Sequence, residues 1–206
     1  DTDRSRGLGD VYKRQIFVYL KDIIRGGIIM SERLTLSDLL NDYGIVVLDT
    51  CVLLNKGFEP MLRESARLIS ETRKSITIHS SVVNEIVRFS RNPEHSQYEN
   101  AKKLLPLLNE LERAKILKFE GNFWDYRLAD QQFLEFVIDE RQRQTIAIIT
   151  LDKKLSDDIL MQNKISSFGG YPATVIRPNK SGKLFPYQNE DNPNPVEKYK
   201  RLFHII

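Results

Sequence analysis

Apolar residues recur along this chain in short unbroken blocks separated by longer stretches of helical spacing. Ile45-Val46-Val47-Leu48 places four apolar residues in a row, three of them β-branched. A strand with one face in water alternates, so an unbroken run predicts a strand covered on both faces, as inside a parallel sheet. Ile146-Ala147-Ile148-Ile149 has the same grammar. Residues 75–79, 116–119 and 173–176 predict three further strands. Between them the spacing predicts helices. One covers 60–74. One runs through Val82, Ile86 and Phe89 with Ser80 or Ser81 as its cap. One covers 94–114, with Pro106 as a possible kink. Another covers 126–143 with Leu128, Phe133 and Val137 inward, and a last one passes through Ile159 and Leu160 with Asp157 and Asp158 in its first turn. Strands that alternate with helices predict an α/β fold with a mostly parallel sheet and helices on both faces.

Both buried runs are expected to end on a carboxylate, Asp49 directly after Leu48 and Asp152 after Ile146-Ala147-Ile148-Ile149-Thr150-Leu151. Open α/β sheets collect their ligands at the carboxyl ends of the strands. Thr50 is expected to cap the helix that follows, and the bland alternative makes Asp49 itself only a cap or turn residue. If the two strands are neighbours, Asp49 and Asp152 meet at one edge, where they repel each other unless a hard cation or a shared proton lies between them.

Length and composition narrow the class. A chain of 206 residues, 41% hydrophobic, suits one domain with a sizeable core. The single cysteine, Cys51, excludes a disulfide within the chain, fits a reducing, cytoplasmic compartment and reads as a buried thiol. Residues 16–29 are too short for a membrane span and carry Lys21, Asp22 and Arg25, so no membrane association is expected. The first fifteen residues lack periodicity and resemble translated adapter sequence. Met30 is the expected start, 1–29 are expected outside the fold, 30–178 form the domain, and 179–206, rich in Pro, Asn and Lys, form an irregular arm and tail. Setting aside 1–29 removes six Lys/Arg and four Asp/Glu and lowers the formal charge from +3 to +1. The whole-chain pI of about 8.9 therefore says little about nucleic acid, and such a case rests on local patches.

Other chemistries are poorly served. His79, His95 and His204 lack zinc-type spacing, and no Gly-rich phosphate loop precedes a helix. A covalent phosphatase built on Asp49 would want a second Asp two residues on, and that position is Cys51.

Taken in order, Val46-Val47-Leu48-Asp49-Thr50-Cys51-Val52-Leu53-Leu54, Ser80-Ser81-Val82-Val83-Asn84-Glu85-Ile86, Asp130 and Ile148-Ile149-Thr150-Leu151-Asp152-Lys153-Lys154-Leu155 resemble the signature of the PIN-domain ribonucleases, over nearly all of 43–177. The resemblance implies a three-layer α/β/α sandwich around a five-stranded parallel sheet of order 3-2-1-4-5, with a switch point between strands 1 and 4. It implies that Asp49, Glu85, Asp130 and Asp152 hold Mg²⁺ or Mn²⁺ and are the catalytic acids. Asp125 and Asp139 compete for the place given to Asp130. Asp157 or Asp158 is a candidate outer ligand, and each also reads as an acid at a helix N-terminus. The implied activity is endonucleolytic hydrolysis of single-stranded or locally unpaired RNA, leaving 5′-phosphate and 3′-hydroxyl ends, with Thr150 helping to hold the site.

The implied partners are RNA, an antitoxin-like protein and a second copy of the chain. The alternative from another class is a catalytically silent PIN-like module that binds RNA or protein. Segments 92–115 and 177–187 extend beyond the family's common core. Arg88, Arg91, Lys153, Lys154, Arg177, Lys180 and Lys183 are candidate phosphate contacts, each otherwise a solvated charge. Trp124, Tyr126, Tyr171 and Tyr187 are candidate stacking residues, each otherwise a packing residue.

Overall fold

The computed structural model describes residues 34–63, 69, 74–125, 128–164 and 170–187. In chain order these form α1 (Leu36–Asp42), β1 (Ile45–Leu48), α2 (Thr50–Leu53), β2 (Ile76–His79), α3 (Ser80–Ser90), α4 (Tyr98–Arg113) and β3 (Leu117–Glu120). They continue with α5 (Ala129–Arg141), β4 (Ile146–Ile149), α6 (Lys153–Lys164), β5 (Ala173–Pro178) and β6 (Leu184–Pro186). Residues 58–63 are also helical.

The two apolar runs lie side by side at the centre of the sheet. β1 pairs in parallel with β4, Val47 opposite Ile148, and on its other side with β2. Every residue of β1, β2 and β4 is buried, which is why these strands show no alternation. Burying a Val, Leu or Ile side chain contributes roughly 1.5–3 kcal/mol. Truncating Ile148, which is fully buried, to Ala therefore costs about 2–5 kcal/mol.

The complete order is 3-2-1-4-5-6, with five parallel strands and β6 antiparallel to β5. Helices flank this mostly parallel sheet. Successive strands are added on one side of β1 up to β3 and on its other side from β4 onward, so the carboxyl ends of the parallel pair β1 and β4 border the expected crevice.

Several local expectations change. Residues 184–186, expected in an irregular arm, form the edge strand β6. The Asn179 carboxamide accepts bonds from Ser181 N and Lys183 N, and Gly182 supplies a φ of +79° at the turn. The segment before β1, for which the apolar pattern predicts no element, is a helix because Thr35 and Asp38 form a reciprocal capping box. His79, and neither Ser80 nor Ser81, caps α3, its Nδ1 accepting from Ser81 N at 3.3 Å. α5 begins at Ala129, so Leu128, expected inward, stands in the cap position and is 78% exposed. Pro106 is carried inside α4. The described elements belong to one compact unit, Arg33–Tyr187, and none of their helices is long and apolar enough to cross a membrane. The expected leader 1–29 and the tail from Val196 lie outside the described residues.

Candidate active site

Asp49 leaves β1 in extended conformation and is itself the N-cap of α2, the place expected for Thr50. Its Oδ1 accepts a bond from Thr50 N at 2.7 Å. Its Oδ2 accepts two, from Thr150 Oγ1 at 2.7 Å and from the Cys51 thiol at 2.8 Å. A carboxylate offers about four acceptor positions, so one position of Asp49 stays open.

The same two partners reach across to β4. Thr150 Oγ1 accepts from Asp152 N at 3.0 Å, and Cys51 Sγ accepts from Leu151 N at 3.0 Å. Thr150 thus bridges the two aspartates that the sequence placed at neighbouring strand ends. Asp152 stands three residues beyond β4, where its Oδ1 accepts from Leu155 N at 3.0 Å and starts α6. Asp157 and Asp158 consequently fall in the second turn of α6, and its first turn holds no acid.

Burial raises the pKa of Asp49. Its hydrogen bonds to Cys51, Thr150 and Thr50 pull it partly back, and the nearby negative charge of Asp152 pushes it up again. Burial, then the Asp49 charge, lifts the Cys51 thiol to about 12. Cys51 is therefore a hydrogen-bond donor and not a nucleophile.

Glu85 on α3, Asp130 in the first turn of α5, and Asp152 line one open cleft of about 1000 Å³. Asp49 is half-buried and is not among the lining residues; its link to the cleft runs through Thr150 and Asp152. Of the competing acids, Asp125 and Asp158 line the cleft, while Asp139 and Asp157 do not. Asp157 accepts a bond from Tyr187 Oη at 2.9 Å. The structure gathers Glu85, Asp130 and Asp152 around one space and joins Asp49 to Asp152. It does not draw the four into a tight cluster: among the described residues, no three of His, Cys, Asp and Glu stand close enough together to hold a metal ion. The donor chemistry, carboxylate oxygen throughout, is that of Mg²⁺ or Mn²⁺. Mg²⁺ in particular is ordinarily held by one or two carboxylates, with waters and substrate phosphate filling the rest of its shell.

Of the basic candidates, Arg88, Arg91 and Lys154 line the cleft. Arg177 is occupied elsewhere: Nη2 donates to Leu151 O, and the guanidinium lies 5.2 Å from the Tyr187 ring centroid. It is a structural tie between β5 and the Thr150–Asp152 segment, not a free phosphate contact. Lys153, Lys180 and Lys183 are exposed and are not among the residues that line the cleft. Among the aromatics, Tyr171 and Tyr187 are half-buried, Trp124 is exposed, and Tyr126 lies outside the described residues.

Two contributors were not legible in the sequence. His79 is buried, caps the helix that carries Glu85, and packs its ring 4.7 Å from that of Phe136. Burial lowers its pKa, against an opposing push from Asp125 and Glu120. Asn84 donates to Phe123 O at 3.1 Å and ties the 121–125 turn to α3. The one signal available was its place one residue before Glu85. No family model matches the chain, and no curated protein matches it.

Proposed function

We propose that this protein is a metal-dependent endoribonuclease with a PIN-like three-layer organisation. The observation that carries the reading is the pair of aspartates that follow adjacent central strands, bridged by Thr150, with Asp152 lining a cleft that also holds Glu85 and Asp130. Six carboxylates line that cleft (Glu85, Asp125, Asp130, Glu135, Asp152 and Asp158) against three cations (Arg88, Arg91 and Lys154). Such a surface repels a polyanion until divalent cations neutralise it, which ties RNA binding to metal binding.

Asp49 and Asp152 would hold Mg²⁺ or Mn²⁺, with Glu85 and Asp130 completing its shell or orienting a water. When bound, the ion supplies Lewis acidity and a water of lowered pKa. The chain supplies orientation. Thr150 and Cys51 fix Asp49 Oδ2, the Leu155 amide fixes Asp152 Oδ1, and the guanidinium groups of Arg88 and Arg91 offer paired donors to phosphate oxygens.

A second reading, a module that binds RNA or protein without cutting it, draws support from the lack of a closed metal cluster among the described residues and from the three donors already on Asp49. Incubating the full chain with end-labelled unpaired RNA, with Mn²⁺ or with chelator, separates the two. The nuclease reading expects Mn²⁺-dependent fragments with 5′-phosphate ends that Asp49→Asn does not produce. RNA bound but left whole under all conditions would favour the silent module.

A further inference from the structure

One turn of the chain presents its aromatic residues outward while being held firmly in place. Trp124 is 78% exposed and Phe123 40% exposed, and Leu128, just beyond, is 78% exposed. The turn is fastened from three sides. Asn122 Oδ1 accepts from Trp124 N at 2.9 Å, Asn84 of α3 holds the Phe123 carbonyl, and Gln132 of α5 donates to the Asp125 carbonyl at 3.3 Å. Phe123 also meets Phe119 of β3 edge to face, ring centroids 6.3 Å apart. An indole left in water on a fastened turn is a preorganised contact surface rather than a by-product of folding.

Its neighbours say what would cover it. Phe123, Asp125 and Leu128 line the cleft, so the turn forms part of its rim. On α3, Asn84 and Arg88 stand four apart on one helix face, Arg91 follows at its C-cap, and all three line the same cleft. Arg88 meets Glu85 at 3.3 Å in a solvent-exposed contact weak enough to exchange for a phosphate, and its guanidinium lies 5.5 Å from the Phe89 ring centroid. Trp124 itself stands outside the cleft lining, on a turn that Asn84 ties to the α3 face carrying Arg88. An exposed indole beside such a face matches a chain of phosphates bearing unpaired bases, whereas an apolar protein segment would leave the arginines unanswered.

We propose that the 121–125 turn is a stacking platform on which Trp124 receives an unpaired base while Arg88 and Arg91 hold the adjoining phosphates, so that the cleft selects single-stranded over base-paired RNA. The proposal rests on the RNA-directed reading above and adds its means of selection. A base inside a duplex is already stacked and cannot reach the indole.

Trp124 is the chain's single tryptophan, so its emission reports directly on the platform. The full chain is titrated in chelator, and again with Ca²⁺, with a short oligouridylate and with a fully paired duplex of the same length. With Ca²⁺ unpaired RNA is expected to quench the emission saturably, and in chelator more weakly, while the duplex leaves it nearly unchanged. By anisotropy of labelled RNA, Trp124→Ala should weaken binding about 5- to 150-fold, the equivalent of one lost stacking contact. Trp124→Phe should restore most of that loss. Unchanged emission under both conditions overturns the platform, as does equal RNA affinity in Trp124→Ala. A Trp124→Ala variant that instead turns a dimer into a monomer assigns the patch to a second copy and also overturns it. The two readings fail separately. Quenching without any Mn²⁺-dependent cleavage keeps the platform and removes the nuclease, whereas cleavage indifferent to Trp124→Ala keeps the nuclease and removes the platform.

Discussion

The Asp49–Thr150–Asp152 corner and the cleft face of α3 use their polar side chains in opposite ways. At the corner, Asp49 is desolvated and takes three donors, and Thr150 Oγ1 serves both aspartates. On α3, Glu85 and Arg88 meet across a long, solvent-exposed contact, and Arg88 also lies over the Phe89 ring. A desolvated carboxylate held by three donors has a fixed geometry, and losing a partner leaves a desolvation cost behind. An exposed pair costs little to break and is free to regroup around a ligand. The corner is built to fix reacting groups, and the rim to meet a variable substrate.

Substitutions at the corner should therefore be large in effect and specific to chemistry. Asp49→Asn is expected to abolish Mn²⁺-dependent cleavage in a gel assay while the protein folds. In chelator it should also raise the melting temperature at neutral pH. Burial and the Asp152 charge lift the folded pKa of Asp49 above that of a free aspartate, so the folded state holds that proton more tightly than the unfolded chain. Ionised Asp49 thus subtracts stability above its raised pKa. The gain from Asn should shrink as pH falls through that value and disappear below the unfolded one.

Thr150→Val removes the bridge while leaving both carboxylates, and cleavage should fall by about 10- to 100-fold, the usual loss when a ligand's supporting hydrogen bond is removed. If Thr150→Val cleaves like the parent, the two aspartates do not act as one unit.

His79 tests the wall between the two regions. Its lowered pKa means that the folded state stays neutral while the unfolded chain takes up a proton near 6.5, so stability should drop as pH falls below that value. His79→Asn keeps a capping side chain but loses ring packing, at a cost of roughly 1–3 kcal/mol, and should flatten this part of the pH profile in denaturant titrations. The smallest effect belongs to the rim. Arg88→Ala should weaken RNA binding modestly and lower the slope of log affinity against log salt by about 1.

The sheet centre was legible because strands covered on both faces leave an unmistakable mark, four apolar residues without alternation, and both aspartates could be placed by their position after those runs. The caps were not legible. Asp49, Thr50, His79, Ser80 and Ser81 are all competent to cap, and only the path of the backbone decides which of them accepts a turn's amide. β6 was hidden because three residues ending in Pro186 carry no periodicity, and their pairing depends on the Asn179 turn. Leu128 was assigned inward by helical spacing, but α5 begins one residue later. Gathering Glu85 and Asp130 beside Asp152 depends on how α3 and α5 pack, which no local pattern encodes.

The most direct test is Mn²⁺ binding to the RNA-free full chain, followed by electron paramagnetic resonance, in the parent, Asp49→Asn and Asp152→Asn. Binding in the parent that weakens about tenfold or more in each variant is the expected result. Parent-like Mn²⁺ affinity in both variants, or no binding in the parent, would contradict the assignment of Asp49 and Asp152 as partners in one metal site.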